Sequence, residues 1–164
     1  MSKVIEIYPK ETAAIIKALL RKSFPATKFS VTTGRGSMVS SVHVHWTDGP
    51  TAQRVNAVCK QFEAGHFDGM TDSYTYAADR AVVVDGVTYE PCTKYVFPER
   101  KISSALARRG AAQVAAYFGV AMPGVLDMDG YWKLTGDPHI KPAGEYASTL
   151  IYQAASDATK FARR

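Results

Sequence analysis

The stretch "VHVHWTDGPTAQRVNAVCKQF", residues 42–62, contains the change of hydrophobic period that decides the fold. In its first part Val42, Val44 and Trp46 alternate with polar residues, which is typical of a strand with one buried face. After "DGP" the apolar residues recur at spacings of three and four, as on the buried side of a helix: Val55, Val58, Cys59 and Phe62. The stretch therefore predicts a strand and then a helix that carries Pro50 in its first turn.

Similar patterns extend this prediction along the chain. Residues 10–24 have the apolar spacing of an amphipathic helix. Strands are predicted at residues 28–33 and 38–47, joined as a hairpin by the glycine-rich turn "GRGS". A second hairpin is predicted around Asp85-Gly86, because this pair suits a type I′ turn.

Further downstream, residues 93–97 predict one more strand and residues 103–119 a helix. Ser103 suits the N-cap of this helix, and Gly119 suits the position that ends it. Gly110 in its middle costs about 1 kcal/mol relative to alanine. We therefore expect another element to pack closely against the helix at Gly110.

Together these elements predict an α+β fold, in which a small antiparallel sheet of two hairpins is packed by three to four helices. We predict that residues 1–120 form one domain. Residues 121–164 are predicted to be an irregular connection followed by a C-terminal helix that packs on this domain. That helix should be buried through a set of mostly apolar residues: Tyr146, Leu150, Ala154 and Phe161.

The composition is that of a globular domain. Of the 164 residues 46% are hydrophobic, and no apolar run approaches the ~20 residues that span a bilayer. Cys59 and Cys92 form no CxxC pair and are interpreted as core residues. We predict a cytoplasmic protein without a cofactor.

The formal net charge of +5 favours anionic partners. We predict that a set of basic residues binds nucleic acid, single- or double-stranded, or a protein partner: Lys10, Lys17, Arg21, Lys22, Arg35, Arg100, Lys101, Arg108 and Arg109. Ordinary solvated helix faces are the alternative. Aromatic residues near these groups, if exposed, would support single-stranded binding by stacking on bases: Tyr8, Tyr95 and Tyr131.

Three segments carry a family resemblance: "SFPATKFSVTT", then "VHVHWTDGPTAQRVNAVCKQFEAGHFDGMTDSYTY", then "KYVFPERKISSALARRGAAQVAAYFGV". The ordered pattern resembles the large polyvalent protein-associated domain 29, over roughly residues 10–120. This family occurs in bacteriophages, plasmids and conjugative elements, often as one module of a very large protein. The resemblance implies a mobile-element protein in a bacterial host and implies no catalytic residue set.

The segment "FEAGHFDGMTDSYTY" places two aspartates and a histidine among aromatic residues, so it is open to a catalytic, a metal-binding or a structural interpretation. We interpret it as a structural loop, because Asp before Gly, and Thr and Asp after it, can bond nearby backbone N–H groups. Phe67, Met70, Tyr74 and Tyr76 should anchor it to the core. The structural positions of the family motif are then seven residues: Asp48, Gly49, Pro50, Phe67, Asp68, Gly69 and Asp72.

His43 and His45 project from one face of the predicted strand and could chelate zinc with a third ligand. The candidates for that ligand are His66, Asp68 and Asp72. A solvent-facing polar row is the simpler interpretation, and we predict no metal.

The leading hypothesis is a non-enzymatic phage or plasmid module that binds nucleic acid, or a host factor that handles nucleic acid, through basic helix faces. Its role would lie in DNA transfer or counter-defence. The alternative is an anti-CRISPR or anti-restriction type of inhibitor that binds a host defence nuclease by protein contact. A small hydrolase that uses His43, His45 and Asp68 is a third, weaker hypothesis.

Overall fold

The computed structural model describes residues 4–34, 40–121, 124–128, 131–135, 139–140, 145–157 and 161. The chain forms two compact units, residues 1–100 and residues 101–164. The boundary between the units precedes the third helix, whereas the predicted boundary at residue 120 follows it. That helix lies in the second unit.

In its described residues, the first unit contains two α-helices and eight strands. In chain order they are β1 (Val4–Ile7), α1 (Pro9–Ser23), β2 (Ser30–Thr33), β3 (Ser41–Thr47), α2 (Ala52–Cys59), a 3-10 turn (Lys60–Phe62), β4 (Gly65–Asp68), β5 (Ser73–Tyr76), β6 (Val82–Val84), β7 (Val87–Pro91) and β8 (Tyr95–Lys101). The α+β class is therefore confirmed.

The prediction of one sheet built from two hairpins is wrong. Both hairpins form, but β2 and β3 join β8 in one three-stranded sheet, while β6 and β7 join β1 in another. A third, two-stranded sheet is made by β4 and β5. In the second of these sheets β7 is the central strand, which pairs on one side with β6 and on the other, in parallel, with β1. The four-residue β1 was not predicted.

The core of the first unit confirms the pattern of residues 42–62. Val42, Val44 and Trp46 are buried on β3 and pack in one cluster with the buried faces of α1 and α2. The Trp46 indole N–H also donates to the carbonyl oxygen of Pro50 at 3.0 Å, so the ring is fixed at its polar end. The strand and the following helix are thus held together by one apolar layer.

Helix α2 begins later than predicted. Its N-cap is Thr51, whose hydroxyl accepts a hydrogen bond from the Arg54 N–H at 3.3 Å. Asp48 and Gly49 have φ values of 56° and 57°, which no right-handed helix contains. Pro50 therefore precedes the helix and is not part of its first turn.

The turn between β6 and β7 confirms the type I′ prediction. Asp85 and Gly86 have φ values of 48° and 82°, and the flanking Val84 and Val87 are paired. Positive φ at both central residues is the requirement of that turn.

The second unit contains α3 (Ser104–Phe118), β9 (Gly124–Met128), β10 (Tyr131–Thr135), β11 (His139–Ile140), β12 (Glu145–Tyr146) and α4 (Ala147–Ser156). The irregular connection predicted after residue 120 is wrong in part, because β9 and β10 pair as an antiparallel hairpin. Four residues were predicted to form the buried side of the C-terminal helix. Leu150, Ala154 and Phe161 are buried, and the side chain of Tyr146 lies outside the described part of the chain. No helix in the described ranges is long and apolar enough to cross a membrane.

Helices α3 and α4 confirm the close packing predicted at Gly110. A Cβ atom at this glycine would lie 2.9 Å from the carbonyl oxygen of Ile151 and 3.1 Å from the amide nitrogen of Ala155. The caps are also confirmed: the Ser103 hydroxyl accepts from the Leu106 N–H at 3.2 Å, and Gly119 has a φ of 66°.

Candidate nucleic-acid interface

The sheet of β2, β3 and β8 has one buried and one exposed face. Along β8 the exposed residues Phe97 and Glu99 alternate with more buried ones, such as Val96. On the neighbouring β3, His43 and His45 point the same way, because they alternate with the buried valines. The outer face of this sheet therefore carries His43 and His45 from one strand, and Phe97 and Glu99 from its neighbour.

A continuous row of six aromatic rings runs across this face and onto the β4–β5 hairpin. The centroid distances between successive rings are 5.0 Å for Tyr76–Tyr74, 5.5 Å for Tyr74–Tyr95, 5.8 Å for Tyr95–Phe97, 5.2 Å for Phe97–His43 and 6.1 Å for His43–His45. We call these six residues the ring row. Phe97 is 43% exposed and Tyr76 is 53% exposed, so a flat ligand can reach the row.

Tyr74 fixes the hairpin end of the row to the sheet. Its hydroxyl donates to the carbonyl oxygen of Lys94 at 2.9 Å. Burial, followed by the nearby Glu63 carboxylate, raises the pKa of Tyr74 to about 12. The phenol therefore stays neutral at physiological pH and remains a hydrogen-bond donor.

Two cations flank the hairpin end of the row. The Lys94 ammonium lies 5.4 Å from the centroid of Tyr74 and 6.0 Å from that of Tyr76. The Arg80 guanidinium lies 5.6 Å from the centroid of Tyr76 and also pairs with Glu90. Cations over ring faces at such distances are attracted by the ring quadrupole.

The other end of the row is a histidine–carboxylate cluster. Glu99 places one carboxylate oxygen 3.7 Å from Nδ1 of His43 and the other 3.4 Å from Nδ1 of His45. The two imidazole planes are nearly parallel, at 10°. Ser41 Oγ lies 3.4 Å from Nε2 of His43.

Sequence reasoning identified the two histidines but missed Glu99. The candidate third ligands His66, Asp68 and Asp72 lie on or beside the β4–β5 hairpin. Among the described residues, the group of three potential metal ligands whose ligand atoms all lie within 4.8 Å of one another is His43, His45 and Glu99. A hydrolase centre of His43, His45 and Asp68 is not assembled, because Asp68 bonds within its own turn.

The segment "FEAGHFDGMTDSYTY" contains the β4–β5 hairpin, and the turn of this hairpin is held by Asp68. One Asp68 carboxylate oxygen accepts from the Met70 N–H at 2.9 Å. This bond, followed by one from the Thr71 side chain, lowers the pKa of Asp68. The expected anchoring to the core is wrong for three of the four residues, since Phe67 is 50% and Met70 96% exposed, and Tyr76 is exposed as well.

The Asp48–Gly49 turn is held by Arg100, one of the residues predicted to bind nucleic acid or a partner. The Arg100 guanidinium donates to the carbonyl oxygen of Asp48 at 3.0 Å and to that of Gly49 at 3.1 Å. A Cβ atom at Gly49 would lie 2.5 Å from Thr27 Oγ1, so the position requires glycine.

The remaining predicted basic residues lie on several elements of the two units. Lys10 and Lys17 line a groove of about 680 Å³ between α1 and β2. Arg21 is exposed on α1, while Lys22 pairs with Asp85 at 3.1 Å. In the second unit Lys101, Arg108 and Arg109 are exposed. Arg35 lies outside the described residues.

The groove reaches the exposed face of the sheet at its β2 edge. Thr32 lines the groove beside Lys10 and Lys17, and in the strand register it is the partner of His43. The two lysines of α1 therefore line a groove that reaches the β2 edge of this sheet.

Most of the ring row could not be singled out from the sequence. Its members come from β3, β5 and β8, and Tyr95 alone was proposed there as a base-stacking residue. The sequence does contain one indication of the row, because residues two apart in a strand lie on the same face. Tyr74 and Tyr76 are spaced in this way, as are Tyr95, Phe97 and Glu99. Our prediction ended the last strand at residue 97, whereas β8 continues through Pro98, which an edge strand tolerates.

The family comparison covers the unit that carries this face. The sequence model of the large polyvalent protein associated domain 29 matches residues 7–103, more than half of the chain. The chain belongs to this family. The match includes α1, α2 and every strand of the ring row, and it ends just before α3, earlier than the resemblance to residue 120 suggested.

Membership of the domain 29 family indicates a module of phages and related mobile elements. No curated protein and no solved structure shows significant similarity to the chain.

Proposed function

We propose that this domain 29 chain is a non-enzymatic accessory module of a phage or plasmid, which binds single-stranded nucleic acid on the ring row. It would act in the cytoplasm of a bacterial host, in DNA transfer or counter-defence. The observation that carries the proposal is the unbroken series of six rings on one accessible surface.

Stacking supplies the first part of the recognition. Proteins that bind single strands place successive bases on aromatic side chains, and each stacked base contributes about 1–3 kcal/mol. Phe97 sits in the middle of the row, is exposed, and has neighbours on both sides, Tyr95 and His43. A sheet face with accessible aromatics suits unpaired bases better than a duplex, whose bases are already stacked on one another.

Phosphate contacts supply the second part. Lys94 and Arg80 provide positive charge at the hairpin end of the row. Lys10 and Lys17 provide it along the β2 edge, through the groove at Thr32. These groups contact the backbone and not the base edges, so little sequence preference is expected.

The test is fluorescence anisotropy with labelled single-stranded DNA, single-stranded RNA and duplex DNA, at low and at physiological salt. Phe97→Ala should weaken single-strand binding about 5- to 100-fold, because one stacking surface is lost. The matched control is Tyr152→Ala, which removes a similarly exposed ring from α4 in the second unit and should leave the affinity unchanged. An absence of binding at low salt would refute the proposal, as would equal losses in the two variants.

The charge contribution is tested separately. Lys17→Glu combined with Arg21→Glu should weaken binding and flatten its dependence on salt, since each lost phosphate contact lowers the slope of log K against log salt by about 0.7 for single strands. An unchanged slope would show that α1 does not contact phosphate.

A second candidate function is protein-based inhibition of a host defence nuclease. The observation that favours it is the tip of the β4–β5 hairpin, where Phe67 and Met70 expose apolar surface. Binding through this tip would depend little on salt and would be lost in Phe67→Ala with Met70→Ala, a variant that should not affect stacking on Phe97.

A further inference from the structure

We propose that His43, His45 and Glu99 form a binding site for a divalent transition metal ion, with Zn²⁺ the best fit. The three side chains come from adjacent strands of one sheet and face the same side. Each brings one ligand atom to within 4.8 Å of the other two. This site lies beyond the proposed function and does not depend on it.

The distances suit a zinc centre. Zinc binds imidazole nitrogen and carboxylate oxygen at about 2.0–2.2 Å, so ligand atoms around a tetrahedral ion lie roughly 3.3 Å apart. The separations between the Glu99 oxygens and the two Nδ1 atoms are already 3.4 Å and 3.7 Å. The three side chains are partly exposed, so small rotations about their side-chain bonds can complete the geometry.

The strand that carries the two histidines is held on both sides. His43 and His45 are two residues apart on β3, the central strand of the sheet, so their relative position is set by the strand repeat. Glu99 lies on β8, which is bonded directly to β3. Such support preorganises the ligands and lowers the cost of binding.

A neighbouring hydroxyl and a neighbouring ring add to the site. Ser41 Oγ lies 3.4 Å from Nε2 of His43, where it can orient the ring whose Nδ1 faces the metal position. The Phe97 ring lies 5.2 Å from the same imidazole and covers one side of it. Two nitrogens and one carboxylate leave further coordination positions open to water or to an anionic ligand oxygen.

Chemically, the donor set excludes the harder cations. Mg²⁺ and Ca²⁺ prefer oxygen ligands, whereas imidazole nitrogen suits Zn²⁺, Co²⁺, Ni²⁺ and Cu²⁺. The cluster should therefore discriminate strongly between Zn²⁺ and Mg²⁺. If the cluster served only to hold β3 and β8 together, it would bind no stoichiometric Zn²⁺.

The experiment uses the full chain without a polyhistidine tag, freed of metal by a chelator and studied without nucleic acid. Isothermal titration with Zn²⁺ should give one equivalent per chain, and Mg²⁺ should give none. Addition of Co²⁺ should produce visible absorption from a nitrogen- and oxygen-bound ion. His45→Ala and Glu99→Gln should each weaken Zn²⁺ binding by at least about tenfold. Removing a residue that only hydrogen-bonds to a ligand already lowers metal affinity by about that factor.

The matched control is His66→Ala, which removes an exposed histidine from β4 and should bind Zn²⁺ like the unmodified chain. Circular dichroism melting checks that each variant is folded. The proposal is overturned if the unmodified chain binds no stoichiometric Zn²⁺, or if His66→Ala loses as much affinity as His45→Ala. Nucleic-acid binding is measured separately, so either proposal can fail without the other.

Discussion

Phe97 of β8 lies against His43 of β3, with a ring centroid distance of 5.2 Å across neighbouring strands of one sheet. These residues are 54 positions apart in the chain. Their contact joins the tyrosines of the hairpin end to the histidine–carboxylate cluster, and so makes one surface of two chemically different parts. One part suits bases, and the other suits a metal ion.

Glu99 places a negative charge at the end of a surface proposed to bind a polyanion. Glu99→Gln should therefore strengthen metal-free binding of single-stranded DNA, by about two- to fivefold at low salt, which is the scale of one exposed charge interaction. Anisotropy titration in the presence of a chelator measures this effect. Glu6→Gln makes the same charge change on β1, in another sheet, and should have a smaller effect. Weaker binding of Glu99→Gln would contradict the proposal that the nucleic acid binds along the ring row as far as His45.

Arg100 is expected to stabilise the fold more than it contributes to binding. Arg100→Ala removes charged hydrogen-bond donors from the carbonyl oxygens of Asp48 and Gly49 and should lower the free energy of unfolding by about 1–2 kcal/mol. Urea denaturation measures the loss. Lys17→Ala, on the exposed side of α1, is the control and should be near neutral. If Arg100→Ala left stability unchanged and reduced only nucleic-acid affinity, Arg100 would belong to the binding surface after all.

The Asp68 turn should stabilise the protein in a pH-dependent way. Hydrogen bonds lower the pKa of Asp68, so its stabilising effect is present above the unfolded-state pKa of about 3.9 and is lost as the pH falls through the lower folded-state value. Asp68→Ala should reduce the melting temperature at pH 7, and the difference should shrink below about pH 4.

Asp68→Asn is the control for this turn, because its amide oxygen can still accept the Met70 N–H but carries no charge. At pH 7 its melting temperature should fall less than that of Asp68→Ala. Its difference from the unmodified chain should also shrink below about pH 4, because only the carboxylate titrates. A difference for Asp68→Ala that is as large at pH 3 as at pH 7 would rule out the carboxylate as its cause.

The two thiols should differ in reactivity. Cys59 is fully buried, and burial raises its pKa to about 12, so it should not react with a thiol reagent at pH 8 while the protein is folded. Cys92 is partly exposed, and its pKa is raised by burial and then by Glu6, so it should react slowly and faster as the pH increases. Ellman's reagent should detect one thiol in the native chain and two in denaturant. Cys92→Ser should abolish the native reaction, and a persisting reaction would show that Cys59 is accessible.

Features that depend on neighbours in the chain were predicted well. The alternation of Val42, Val44 and Trp46, the type I′ pair at Asp85 and the N-cap at Ser103 are all present. Each of these results from local steric and hydrogen-bonding preferences or from the period of one element. Such preferences act within a few residues and can be read directly from the order of the amino acids.

Features that depend on the pairing of distant segments were not predicted. Strand β1 is short and mostly exposed, so its sequence shows no clear alternation of apolar and polar residues. It nevertheless pairs in parallel with β7. The β9–β10 hairpin is a different case, because its strands are adjacent in the chain, and it was missed because it lies in a glycine- and proline-rich stretch. Pro98 concealed the second half of β8, because proline disfavours a strand unless it lies at a sheet edge.

By itself, the sequence determined the α+β class, the apolar layer of residues 42–62 and membership of the domain 29 family. It also placed His43 and His45 on one face of a strand. Only the tertiary structure decided that β8 lies beside β3, and therefore that Phe97 and Glu99 meet the two histidines. The reason is physical: strand alternation sets the side on which a residue points, whereas the partner strand is selected by how the whole core packs.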